Sequence, residues 1–103
     1  MYSRSGRMET RIPLEVMVRI ASLEHPGLVD SGTTQNASPF GLRAIVRKQW
    51  TPNEPVLVES PPGDLRSRGW VVYCQPVPGG QFAVGLRLLV PQPGWNRKGG
   101  KAG

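Results

Sequence analysis

A chain of 103 residues allows one small domain with a single core, burying roughly 65% of its unfolded surface. Thirteen Lys and Arg against seven Asp and Glu leave a net charge of +6, which points to anionic partners: nucleic acid, phosphate ligands or an acidic protein face. One Cys and one His exclude an intrachain disulfide and a structural zinc site, and no apolar run is long enough for a membrane span or a signal-peptide core. A soluble cytoplasmic protein is therefore expected.

Residues 1–11 are polar and basic, carry Arg4, Arg7 and Arg11, and have no periodicity. They read as a flexible arm. From Ile12 apolar and polar residues alternate. Leu14, Val16, Val18 and Ile20 share one face, and Glu15, Met17 and Arg19 the other, which predicts a half-buried strand. His25-Pro26-Gly27 ends it, so the one histidine is expected as an exposed turn residue rather than a buried base.

A short Thr-bearing segment, Gly32 to Gln35, leads to Asn36-Ala37-Ser38-Pro39-Phe40-Gly41, expected as a tight connection where two strands meet. Asn starts turns, Pro39 holds Ser38 extended, and Gly41 tolerates positive φ or a close neighbour. Leu42, Ala44 and Val46 then alternate with Arg43, Ile45 and Arg47. Trp50 to Asn53 reads as a loop, Val56-Leu57-Val58 as a short strand, and Pro61 to Asp64 as a turn. Gly69 to Cys74 is rich in strand formers, and Pro78-Gly79-Gly80 reads as a hairpin turn. In the last strand Phe82, Val84, Leu86 and Leu88 alternate with Ala83, Gly85 and Arg87. The tail, 91–103, is Pro- and Gly-rich and expected to be disordered. Six regularly spaced strands without helical periodicity predict an all-β domain over 12–90, a sandwich or a small barrel, with the barrel favoured because closure removes exposed edges.

Two motifs stand in this pattern. Arg7-Met8-Glu9-Thr10-Arg11 is R-x-x-x-R, and Asn36 to Gly41 is N-x-S-x-x-G. In this order, with one alternating strand between them, they resemble the double signature of PilZ domains, bacterial receptors for cyclic di-GMP. The likeness runs from about Arg4 to Leu89. It implies a six-stranded antiparallel barrel that binds cyclic di-GMP, needs no other cofactor, and passes the signal to a partner protein. By that resemblance Arg7 and Arg11 form a clamp, Asn36, Ser38 and Gly41 a platform on the barrel wall, and Arg4 and Gly85 additional contacts. The arm is expected to order when the ligand binds. Many members of the family add a C-terminal helix, and Pro91-Gln92-Pro93-Gly94 argues against an immediate one here.

The chemistry is consistent with such a ligand. A guanidinium fork meets guanine O6 and N7 together, stacks on a purine, and pairs with a phosphodiester. An enzyme is not expected: the sequence has no phosphate-cradling loop, metal-ligand cluster, nucleophile elbow or spaced carboxylate pair. Two alternatives compete, a PilZ-fold adaptor that has lost nucleotide binding and a basic barrel that binds single-stranded nucleic acid. The first would be expected to show a damaged motif. The second ranks last and no nucleic-acid partner is expected, because Phe40, Trp50, Trp70, Tyr73 and Phe82 are assigned to the core, as is Cys74 by its shared parity with Trp70 and Val72.

Overall fold

Alternation along each strand builds the fold: every second residue is apolar, and a curved antiparallel sheet turns those residues inward. The computed structural model describes residues 12–60 and 65–90. Its strands are β1 (Ile12–Pro13), β2 (Met17–Ser22), β3 (Val29–Ser38), β4 (Gly41–Val46), β5 (Pro55–Ser60), β6 (Leu65–Val77) and β7 (Gln81–Leu88), with no helix among the described residues. β2, β5, β6, β7, β4 and β3 pair in that order, and β3 returns to β2, closing a six-stranded antiparallel barrel.

The interior is aliphatic. Val18, Ile20, Val46, Val56, Val58, Val71 and Val84 are fully buried, and Trp50 closes one end at 2% exposure. Each Val, Leu or Ile side chain so buried contributes about 1.5–3 kcal/mol. The β6–β7 turn at Pro78-Gly79-Gly80 and the exposed His25-Pro26-Gly27 turn lie where the sequence puts them. The arm 1–11 with Arg4, Arg7 and Arg11, the turn at 61–64 and the tail 91–103 lie outside the described residues.

The strand expected from Ile12 to Ile20 is interrupted. β1 and β2 both run along the edge of β3 that faces away from β4, but five steps from Ile12 to Met17 oppose only four from Ala37 to Thr33. Buried Thr34 absorbs the misfit. Its hydroxyl donates to the Leu14 carbonyl and accepts from Val16 N–H (2.9 Å), and its own N–H donates to the Val16 carbonyl. Pro13, which has no N–H to give, marks the break.

Two further expectations change. β3 is ten residues long and runs straight through Asn36, Ala37 and Ser38, so the turn is only Pro39-Phe40. The motif is a strand end rather than a loop. β6 carries a bulge between Val71 and Tyr73, an extra residue that flips inside and outside. Before it Val71 points in, with Trp70 and Val72 exposed; beyond it Cys74 turns toward the core, its Sγ accepting the Trp50 N–H at 3.3 Å. Cys74 therefore does not share a face with Trp70. Of the five aromatics assigned to the core, only Trp50 and Phe82 pack there, while Phe40, Trp70 and Tyr73 lie outside it.

Candidate ligand face of the barrel

Register places the motif residues. Asn36 of β3 lies opposite Arg43 of β4, Arg43 opposite Gly85 of β7, and Gly85 opposite Tyr73 of β6. In the adjacent row Ser38 faces Gly41, Gly41 faces Arg87, and Arg87 faces Trp70. These positions alternate with the buried Ala37, Leu42, Ala44, Val84 and Leu86, so both rows belong to the outer wall. With strands about 4.8 Å apart, each row spans roughly 14 Å. The closed sheet thus gathers Asn36, Ser38, Gly41 and Gly85 on one face, although they are up to 49 positions apart.

The same face holds residues that sequence reasoning missed. Arg43 donates from Nη1 to the Tyr73 hydroxyl (2.9 Å) and from Nε to Gln35 Oε1 (2.7 Å), with its guanidinium carbon 5.8 Å from the Tyr73 ring centre. The Arg87 guanidinium carbon lies 5.8 Å from the Phe40 ring centre. Trp70 is 37% exposed and Val72 52%. A hollow of about 420 Å³ opens between Trp70, Val72, Tyr73, Gly85 and Arg87. No carboxylate belongs to either row. Parity could have found Arg43, Arg87 and Trp70, each beside a buried neighbour. Tyr73 was hidden by the bulge.

Two motif residues, and the additional Gly85, are engaged by the fold itself. Ser38 is fully buried, its hydroxyl accepting the Phe40 N–H at 3.3 Å across the turn. At Gly41 a Cβ would stand 2.3 Å from the Leu86 carbonyl oxygen, so β7 requires glycine there whatever binds outside. At Gly85 a Cβ would stand 2.2 Å from Cε2 of Tyr73: the small-residue hollow is filled by the protein's own tyrosine. Asn36 is half-buried in the β3 ladder. Arg7 and Arg11 lie outside the described residues, but Ile12, which follows Arg11 directly, pairs with Ala37 between Asn36 and Ser38.

A second polar cluster sits beside the β2–β3 turn. The Ser22 hydroxyl donates to Glu54 Oε2 (2.6 Å) and accepts the N–H groups of Glu24 and His25, while His25 Nδ1 lies 3.0 Å from the same Oε2. Serine and histidine both address the carboxylate and not each other, so no base is held against the Ser22 hydroxyl. The cluster ties the turn to the loop before β5. Burial raises the Glu54 pKa, but hydrogen bonds from Ser22, His25 and the Thr51 backbone, with the His25 charge, outweigh it and leave the carboxyl below its ordinary 4.5. A depressed acid stabilises the fold above its unfolded pKa, and that contribution disappears as pH falls through the native value. Thermal unfolding followed from neutral pH down to about pH 3 should therefore show a loss in the parent that is flatter in Glu54→Gln. Parallel curves would remove Glu54 from the acid response.

Among the described residues no three of His, Cys, Asp and Glu gather as metal ligands, and no helix is long and apolar enough to cross a membrane. No protein-family model matches this chain, and no curated protein matches it in sequence.

Proposed function

We propose that this barrel is a cyclic di-GMP receptor of the PilZ type that works in the bacterial cytoplasm and hands the signal to a partner protein. The observation that carries the reading is the β1–β3 pairing. It pairs Ile12, the residue that follows the R-x-x-x-R motif, with Ala37, inside the N-x-S-x-x-G motif and 25 positions on in sequence. Arg11 is covalently bound to Ile12, and consecutive Cα atoms are about 3.8 Å apart.

The outer rows supply the rest of the chemistry. Guanine presents paired O6 and N7 acceptors to a guanidinium fork and flat faces to aromatic rings. Arg43 and Arg87 add cationic groups for the phosphodiesters, and Trp70 and Tyr73 offer stacking surfaces. In this reading Tyr73 moves off Gly85 when a guanine takes the hollow, breaking its bond to Arg43 and freeing that arginine for the ligand. Calorimetric titration of the full chain with cyclic di-GMP tests the proposal. Saturable binding of one or two ligands per chain is expected, and the absence of heat at roughly 0.1 mM ligand, an affinity too weak to signal, would refute it.

One observation favours a second reading. Phe40, Trp70 and Tyr73 stand outside the barrel beside Arg43 and Arg87, the pattern of aromatics among cations that stacks single-stranded nucleic acid. Salt dependence separates the two. A ligand with two phosphates should lose little affinity between about 50 and 200 mM salt, whereas a strand contacting several phosphates should lose tens-fold or more. Tight, steeply salt-dependent oligonucleotide binding without cyclic di-GMP binding would favour the second.

A further inference from the structure

Around the barrel from the aromatic rows, the outer surface of β2, β3 and β4 carries a groove that the cyclic di-GMP reading does not use. Met17 and Arg19 of β2, Ser31 and Thr33 of β3, and Ile45 of β4 alternate with buried or inward residues and so face outward, and Arg47, directly after β4, is exposed beside them. Met17 lies opposite Thr33 and Thr33 opposite Ile45, while Arg19 lies opposite Ser31. Two hollows, of about 480 and 430 Å³, share Ser31 and Arg47 and run into one another. One end is cationic, with Arg19, Arg47 and Lys48; the other is mixed, its apolar part formed by Ile45 and Met17, the latter 62% exposed, beside Thr33, Gln81 and the one carboxylate there, Glu15.

Of the cations at this end, Lys48 donates from Nζ to the Val29 carbonyl at 2.7 Å, whereas the two arginines are displayed rather than used. The guanidinium groups of Arg19 and Arg47 make no hydrogen bond or ion pair with a described residue, and Glu59, opposite Arg19, gives its carboxylate to Arg66 at 3.0 Å. The backbone beneath Arg47 is held, since Asp30 accepts the N–H groups of Arg47 and Lys48. Two guanidinium groups without a partner among the described residues, beside Met17 and Ile45, suit an acidic ligand with apolar side chains, because a carboxylate is bound in a forked pair and a neighbouring apolar side chain is desolvated by methionine.

We infer that this groove binds an acidic segment of a partner protein that also carries aliphatic side chains. No aromatic side chain lines either hollow, which removes the stacking that a single strand of nucleic acid needs. The net charge of +6 draws an acidic segment in. The inference stands apart from the cyclic di-GMP reading, yet the two surfaces share one hairpin. Ser31 lies on the strand that carries Asn36, and Arg47 directly follows the strand that carries Arg43.

The test is a titration of the isotope-labelled full chain, read by amide NMR shifts. The probes are a short Glu-rich peptide with two central leucines, its Lys-rich counterpart, oligothymidylate, and cyclic di-GMP in a separate titration. The Glu-rich peptide should shift Ser31, Thr33, Ile45 and Arg47, and the Lys-rich peptide should not. Arg19→Glu with Arg47→Glu should weaken the peptide roughly tenfold or more while the surface positions leave unfolding unchanged. Met17→Asp should weaken it as well, through the apolar part. Cyclic di-GMP binding, present or absent, should be the same in parent and variants. Shifts elsewhere, equal binding of both peptides, or undiminished affinity in the double variant would overturn the inference. Tighter oligothymidylate binding at the same amides would overturn it in favour of nucleic acid.

Discussion

Asp30→Ala is expected to lose about 3–5 kcal/mol of folding stability, because it leaves several buried or part-buried N–H donors without an acceptor at about 1–3 kcal/mol each. Asp30 is 5% exposed and points inward from β3. One carboxylate oxygen accepts Ser31 N–H at 2.8 Å and Arg47 N–H at 3.4 Å; the other accepts Lys48 N–H at 2.8 Å and the Trp50 indole N–H at 3.1 Å. Truncation leaves the indole of a residue that is itself 2% exposed without its acceptor. A buried donor without an acceptor costs about 1–3 kcal/mol, and the Lys48 and Ser31 amides add to it. Against a total stability of about 5–15 kcal/mol, that is a large fraction of what holds the domain folded. Asp30→Asn keeps one oxygen but turns an NH₂ toward two donors, so it should recover no more than part of the loss. Urea unfolding of the two variants checks this. A midpoint within about 0.5 kcal/mol of the parent, the range of an ordinary surface change, would mean that the four bonds are worth no more than those to water.

The second large effect concerns the arm. Under the proposed function, Arg7→Ala combined with Arg11→Ala should weaken cyclic di-GMP by about 3–6 kcal/mol, since each charge-assisted bond contributes roughly 1.5–3 kcal/mol. That is on the order of a hundredfold to ten-thousandfold in affinity. The core described is built from residues after Ile12, so the melting temperature is expected to stay unchanged in the double variant. Arg43→Ala should cost less than the arm pair. Arg43 already bonds Tyr73 and Gln35, and its removal also releases the Tyr73 ring from Gly85, two effects of opposite sign. If the double arm variant binds like the parent, the nucleotide reading is lost even though the barrel stands.

The resemblance in sequence named a motif, and the fold shows what that motif does without a ligand. Gly41 is required by the Leu86 carbonyl, and Ser38 closes its own turn. Such structural duties would keep the serine and the glycine of the motif in a barrel that bound nothing, so the titration with cyclic di-GMP is what separates a receptor from an adaptor.

Period-two alternation by itself determined the inward set, from Val18 and Ile20 through Leu42, Ala44 and Val46 to Leu86 and Leu88, because a half-buried strand must pattern itself that way wherever its partners lie. The turns at His25-Pro26-Gly27 and Pro78-Gly79-Gly80 were equally legible, since Pro and Gly act through their own backbone. What only the tertiary structure decided is where that period is broken. The bulge at Val72 depends on β7 being paired alongside, and it alone turns Tyr73 outward onto Gly85. The extra residue at β1–β2 depends on Thr34, eighteen positions beyond Val16, being buried where the two edges fail to match. The rows that unite Asn36 with Arg43 and Tyr73, and Ser38 with Arg87 and Trp70, exist because the barrel closes with one stagger. Stagger is a property of six strands together, and no single strand carries it.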